Sequence, residues 1–295
     1  MGFGFTNSTN GNEKGDGMGT EFLNMLSPPK SDIAEYDNTR PFSKQAPSIP
    51  QVFLDAMSVR EEVYGEQGIA LEAEFDEDDA RSWHWVVYAS VGSRSNSLPA
   101  DMRTKTFTSA DEDKRRASAS ASRLPVGTIR LVRAPHSPNK YVRASEEVDK
   151  HPDADPPPSL ASQIEEKHPT EPYVKLGRLA VLAPYRKLGL SKLLINSALE
   201  YAAKNPNAIY QPPSPTTIEL ANLTGMDVKK ISTWQGLVMI HAQASLEKMW
   251  TRYGFAEELL DKNGNVEISR EARWIEEGIE HISMWKRLKI DSRRL

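Results

Sequence analysis

The chain has 295 residues, 38% of them hydrophobic and 26% charged, with a formal net charge of −4. That is an ordinary globular balance with some polar excess, and it leaves no global basic field to recruit nucleic acid. Cysteine is absent, which excludes a disulfide scaffold, a thiolate metal site and a cysteine nucleophile. No apolar run approaches the roughly 20 residues of a bilayer span, so no membrane partner is expected. The opening MGFGFTNSTNGNEKGDG lacks the charged head and apolar middle of a secretory signal. A cytoplasmic location is the expectation, with the nucleus left open.

Residues 1–32 are rich in Gly, Asn and Ser and read as a mobile tail. The rest, 33–295, reads as one domain. A first short strand is expected within IAEYDNTRPF (33–42). Pro50 opens a helix in which Val52, Phe53, Met57, Val59, Val63 and Tyr64 recur at roughly helical spacing, and Gly68 suits its end. LEAEFDEDDA (71–80) is acidic, and WHWVVYASV (83–91) reads as a strand. A polar insertion, 92–123, separates it from a returning strand, VGTIRLVRA (126–134). A second insertion, 135–172, is stiffened by PDADPPPS and is expected to hold one short helix near 159–167. VKLGRLAVLA (174–183) becomes continuously apolar at its end, as in a strand buried on both faces. LSKLLINSALEYAAKN (190–205) is an amphipathic helix with Leu190, Leu193, Leu194, Ala198 and Tyr201 on one stripe. After a third insertion, 206–234, come a strand at 236–243 and a helix at 244–255 ending near Gly254. FAEEL and HISMWKRL (281–288) are the expected last strands, joined across the turn DKNGN (261–265). The order predicts a mixed α/β sheet with helices on both faces.

The sharpest chemical signal is LAVLAPYRKLGLSKLL (179–194). A strand ends at Pro184, and the turn from Arg186 to Ser191 opens a helix. The first N–H groups of a helix have no internal partner, and its dipole adds partial positive charge there. Gly189 and the small Ser191 let backbone approach an anion, and Arg186 and Lys187 add charge. Together they make a cradle for a pyrophosphate. No GK[ST] follows, so this is not a Walker loop, and a dinucleotide fingerprint lacks its third glycine.

This segment resembles motif A of the GNAT N-acetyltransferase superfamily, [RQ]xxGx[GA], with Arg186 and Gly189 in register and Ser191 departing mildly at the last position. LVMIHAQASLEKMWTRYGF looks like that family's motif B. AQASLEKMW…YGF, with EEVYGEQGIALEAEFDEDD upstream and EHISMWK downstream, is similar to the ElaA-like branch. The resemblance covers roughly 50–91, 124–134, 174–204 and 236–288, and none of the tail or insertions.

The resemblance implies a central, mostly antiparallel mixed sheet that splays between its fourth and fifth strands. The pantetheine arm of acetyl-CoA would lie in that cleft against the backbone of Leu179, Ala180, Val181 and Leu182. Arg186, Lys187, Leu188, Gly189, Leu190 and Ser191 would hold the pyrophosphate. Acetyl-CoA is then the co-substrate and coenzyme A the product, with no metal. The acceptor would be an amine entering from the opposite face, past the turn after the first helix.

An amine near pKa 10 is mostly charged at pH 7, so direct attack needs a base or water relay. Glu72, Glu74, Asp76, His84 and His241 are the candidates, and the acidic stretch as a rim would attract a cationic amine. The family's general acid is often a tyrosine four residues before the glycine of Gly-Phe, and that position here is Trp250. Tyr253 is the candidate substitute, and a thiolate leaving group needs little help in any case. Trp83, Trp85 and Trp250 are candidate stacking surfaces for a small-molecule acceptor of amino-sugar, polyamine or arylalkylamine type. Two rivals stand beside that reading: a protein or peptide acetyltransferase, and a non-catalytic acetyl-CoA-binding module. A homodimer is left open.

Overall fold

The computed structural model describes residues 22–91, 122–136, 167, 169, 171–210, 216, 223 and 234–290. In chain order its elements are β1 (Leu23–Leu26), α1 (Gln51–Gly65), β2 (Ser82–Val91), β3 (Ser122–Val132) and β4 (Val174–Val181). Then come α2 (Leu190–Lys204), β5 (Leu237–Gln243), α3 (Glu247–Thr251), β6 (Leu259–Leu260), β7 (Val266–Ile268), β8 (Trp274–Glu276) and β9 (Ile279–Arg287). Seven strands form one sheet in the order β1-β2-β3-β4-β5-β9-β8, and β6 pairs only with β7. Every neighbouring pair is antiparallel except β4 and β5. The fold is therefore the mixed α/β sheet that the sequence predicts. Among the described residues no helix is long and apolar enough to cross a membrane.

Side-chain alternation assigns the two faces. Trp83 and Trp85 of β2 pack against Tyr201 of α2, with ring centroids 6.1 and 5.7 Å apart. His84, one residue over, lies edge-on to Phe53 of α1 at 5.2 Å. So α2 covers one face and α1 the other. Gly127 on β3 sets how closely α2 sits. A Cβ there would come within 2.9 Å of Val87 and 3.2 Å of Leu194 of α2.

On α1 the buried residues are Phe53, Ala56, Met57, Val59, Arg60 and Val63. Arg60 is a cation inside an apolar stripe, only 1% exposed. It is held by Asp79, with Nη1 and Nη2 donating at 2.8 and 3.3 Å. Arg130 of β3 reaches the same carboxylate at 2.8 Å. The pairing bolts the segment after α1 to both helix and sheet.

Several boundaries differ from expectation. The first strand is Leu23–Leu26, inside the segment read as a tail, and it pairs with β2. Residues 33–42, expected to hold it, form turns and short 3-10 pieces instead. α1 ends at Gly65, and Gly68 serves the following turn at φ 76°. On α2 the buried stripe is Leu194, Ile195, Ala198, Leu199 and Ala202, while Leu193 faces outward. FAEEL makes one antiparallel bridge, Ala256 to Trp285 of β9, and leads into β6, which closes across 261–265 onto β7 in its own sheet. The hairpin partner of β9 is β8. The expected helix near 159–167 and most of the three insertions lie outside the described residues.

Removing one partner of a buried ion pair leaves an uncompensated charge. Asp79→Ala is expected to cost about 3–5 kcal/mol of unfolding free energy in urea denaturation at pH 7. A loss under about 1 kcal/mol, the range of exposed pairs, would mean that Arg60 and Arg130 reach water in the native state.

Candidate active site

The cleft begins where β4 and β5 stop pairing. Their parallel ladder holds only Val174↔Val238 and Lys175↔Met239. Beyond it, the facing edges of β4 (176–181) and β5 (240–243) pair with nothing among the described residues, although each strand stays paired on its other side. A bulge accompanies the parting. The β3–β4 register slips between Thr128 and Arg130, and Arg178 opposite the slip takes a left-handed backbone at φ 52°. For a non-glycine residue that conformation is uncommon and strained.

At the far end of β4, Ala183–Tyr185 makes a 3-10 turn that leads to α2. Lys187 and Gly189 both adopt left-handed backbone, at φ 66° and 83°. Such a conformation turns successive N–H groups to one side. The N–H groups of Leu188, Gly189, Leu190, Ser191 and Lys192 donate to no acceptor among the described residues. No acidic residue sits in the first turn of α2. A Cβ at Gly189 would meet nothing within 4 Å, so glycine is there for its φ and the space over the turn is open. Arg186 folds back from the turn. Its Nε donates to the Val181 carbonyl at 2.9 Å and its Nη2 to Glu66 Oε2 at 2.9 Å. It ties the turn to the end of β4 and to α1, and the exposed Lys187 has no carboxylate partner among the described residues.

Along the cleft, Ala180, Val181 and Leu182 are buried and Leu179 is half-buried against the same core. The outer edge of α1 also spans the opening, because Gln243 Nε2 donates to Gln67 Oε1 at 2.7 Å.

On the α1 face the acidic stretch is not a free rim. Asp78 and Asp79 are buried, and Asp76 receives Arg130 Nη1 and Nη2 at 2.5 and 3.0 Å and Arg178 Nη2 at 2.7 Å. Asp78 pairs with Arg81 at 2.6 Å. These arginines hold Asp76 and Asp79 below the ordinary carboxylate range against the opposing cost of burial. Of the candidate bases, Glu72 is exposed on a 3-10 turn, its carbonyl accepting from Asn38. Glu74 is buried, with Oε2 unpartnered. Burial pushes its carboxyl up to about 7, opposed by Arg60 and Arg178 and assisted by Glu61. His84 lies under α1, its Nε2 2.9 Å from the Asp79 carbonyl oxygen and its pKa lowered by burial to about 4.

His241 stands closest to the parting. It lies two residues past Met239, the last residue of β5 that pairs with β4, on the face shared with Lys175. Its ring meets Trp274 edge-on at 4.8 Å, and Trp274 in turn stacks on His281 at 5.9 Å. Its Nε2 is buried without a partner among the described residues. Burial, then the charges of Lys175, His281 and His136, drive its pKa well below the ordinary histidine value. The imidazole is neutral at pH 7.

The aromatic candidates lie in the core. Trp83 and Trp85 are buried under α2, away from the parted edges. Trp250 is 4% exposed and packs edge-on to Phe255 at 5.4 Å. Tyr253 is half-buried one turn on, 6.3 Å from the Trp250 ring, and its carbonyl accepts from Lys286 Nζ. Sequence reasoning passed over Arg178, whose signal is a second cation, after Lys175, directly following Gly177 within the strand VKLGRLAV. Among the described residues no three His, Asp or Glu side chains converge as a metal-ligand set.

No protein-family model matches the sequence, and no curated protein matches it. Several solved structures are similar to it in arrangement. An acyl-CoA N-acyltransferase from Pseudomonas aeruginosa aligns over 84% of this chain and 95% of its own, at 15% identity and a TM-score of 0.36. Escherichia coli ElaA aligns over 83% and 94%, at 14% identity and 0.37. Arabidopsis thaliana NAA60, in complex with a bisubstrate analogue, aligns over 90% and 99%, at 13% identity and 0.30. At such scores the cleft's own geometry carries the functional reading.

A buried neutral histidine takes up a proton on unfolding once the pH falls to the unfolded value near 6.5. Its contribution to stability is therefore intact above that pH and declines below it. In an NMR titration the His241 ring resonance is expected to remain in its neutral position at pH 6, while exposed histidines are mostly protonated. A midpoint near 6.5 would mean that water reaches the ring.

Proposed function

We propose that this chain is an acyl-CoA-dependent N-acyltransferase of the GNAT kind. It moves an acetyl group from acetyl-CoA to the primary amine of a small molecule by direct attack in a ternary complex. The observation that carries this reading is the parting of β4 and β5: two facing strand edges that pair with nothing among the described residues, leading at one end to the N–H groups of residues 188–192, which donate to none of those residues.

The residues present fit the co-substrate. An extended amide-bearing arm matches an unpaired strand edge, because it restores the missing hydrogen bonds. A pyrophosphate matches left-handed backbone followed by a helix N-terminus. Leu179, Ala180, Val181 and Leu182 would line the arm, and Leu188, Gly189, Leu190 and Ser191 would hold the phosphates, with Lys187 adding charge. Bound acetyl-CoA supplies an activated acyl thioester. The chain's own task is then to position an amine and take its proton. His241 supports that role by its place at the parting, its neutral ring and its unpartnered Nε2, with a water bridging to the amine. Trp250 has no acidic hydroxyl, and a thiol leaving group with a pKa near 8.5 departs without one.

Purified protein is expected to release free thiol from acetyl-CoA when offered small primary amines. Turnover on peptides alone would assign a protein acetyltransferase, and binding without turnover a regulatory module. Gly189→Glu puts a strained side chain and a negative charge over the turn. It is expected to weaken acetyl-CoA at least about tenfold in calorimetry, with the fold retained by circular dichroism. Unchanged affinity would remove the cradle from the reading. His241→Gln is expected to lower kcat by about 10²–10⁴ at pH 7, with partial recovery at high pH and unchanged acetyl-CoA affinity. A loss under about tenfold would give the proton to another group.

A further inference from the structure

The arginine–aspartate ladder on the α1 face does not balance. Among the described residues the direct ion pairs of Arg60, Arg130 and Arg178 are all made with Asp76 and Asp79, three guanidiniums to two carboxylates. Arg81 and Asp78 form a separate matched pair. Glu74 lies near Arg60 and Arg178, but among the described residues it forms no ion pair with either, and burial pushes its carboxyl up to about 7. Glu61 is engaged at the other end, where its Oε1 accepts from the Phe42 N–H.

The surplus has a specific outlet. Exposure of the guanidinium-bearing side chains rises from 1% at Arg60 and 6% at Arg130 to 25% at Arg178. Arg178 sits in the bulge of β4, within the stretch whose cleft edge is unpaired, and its backbone is held in a left-handed conformation. Asp76 fixes its Nη2. A guanidinium so held, with an open side and a charge its neighbours do not cancel, is preorganised for a planar anion. That anion is not the pyrophosphate. Arg178 lies four residues before Leu182, roughly 13 Å back along a strand from the phosphate turn. It lies instead on the face where His241 stands at the parting.

We propose that Arg178 reads a carboxylate carried by the acceptor, so that the acceptors are amino carboxylates such as amino acids. This rests on the acyl-transfer reading above and refines its acceptor class. The aspartates of the acidic stretch are paired with arginines, while Glu72 and Glu77 remain exposed.

The test compares matched acceptors: phenylalanine with phenylalaninamide, methionine with methioninamide, and lysine with cadaverine. Wild-type protein is expected to favour the carboxylate member in kcat/KM by about tenfold to a hundredfold, the span of a charge-assisted bidentate contact. Arg178→Gln is expected to abolish that preference, losing more on the carboxylate member of each pair than on the amide or amine, and Arg178→Lys to retain part of it. Equal loss on both members, no preference in the wild type, or weakened acetyl-CoA binding in Arg178→Gln would overturn the proposal. If Arg178→Gln does not fold, inhibition of the wild type decides. 3-Phenylpropanoate is expected to compete with the acceptor and 3-phenylpropanamide not to, and equal inhibition overturns the proposal. Absent acetyl-CoA binding in calorimetry would sink the acyl-transfer reading itself. Normal binding with turnover favouring the amides sinks only the role of Arg178.

Discussion

Everything at this site depends on two strands that begin as a parallel pair and then separate. Val174 and Lys175 pair with Val238 and Met239, and nothing further along does. Leaving a backbone donor or acceptor unpaired away from water costs about 1–3 kcal/mol per group. Such an edge is open to any group that can restore those hydrogen bonds. The separation coincides with an irregularity on β4: its β3 edge slips at Ile129 and Arg178 turns left-handed.

The strain at Arg178 needs an anchor, and the arginine–aspartate ladder is one. Asp76 grips Arg178 and Arg130, while Asp79 grips Arg130 and Arg60. Through these two carboxylates the bulge of β4, the middle of β3 and the buried face of α1 become one unit. Isolated surface pairs contribute little, but these charges are withdrawn from water, where loss of one partner strands the other. The bulge is therefore held by long-range contacts and not by local propensity.

That division explains what was legible in the sequence. The strand–turn–helix at 174–204 is local: a β-rich apolar run, a glycine where φ is positive, then a 3.6-residue period. Such signals survive in one dimension, and the expected positions of β4, α2 and β5 hold within two residues. The burial of Asp78 and Asp79 is not local. It comes from guanidiniums on α1, on β3 and beside β2, so an acidic run that looks solvated becomes the interior of a network. β1 was hidden for a similar reason. Leu23–Leu26 carries no strand alternation of its own and is a strand because β2 offers an edge. The aromatics mislead in the opposite direction. Trp83 and Trp250 suggest ligand stacking by composition, yet their place on the inward faces of β2 and α3 makes them packing.

The end of α1 ties the two walls of the cleft together. Glu66 holds Arg186, which clasps the last carbonyl of β4, and Gln67 bonds Gln243 at the last residue of β5. Two consecutive residues thus hold the far ends of two strands that no longer touch each other. The Glu66–Arg186 pair is roughly half exposed, and the glutamine bond is exposed as well, so each is individually weak. Weak, wet contacts open at little cost, whereas the ladder beneath them does not. The cleft therefore has a rigid floor at Arg178 and Asp76 and a yielding rim at Gln67 and Gln243. On the acyl-transfer reading proposed above, such a combination would let a long flexible co-substrate enter from the side while its reacting end rests against a fixed wall.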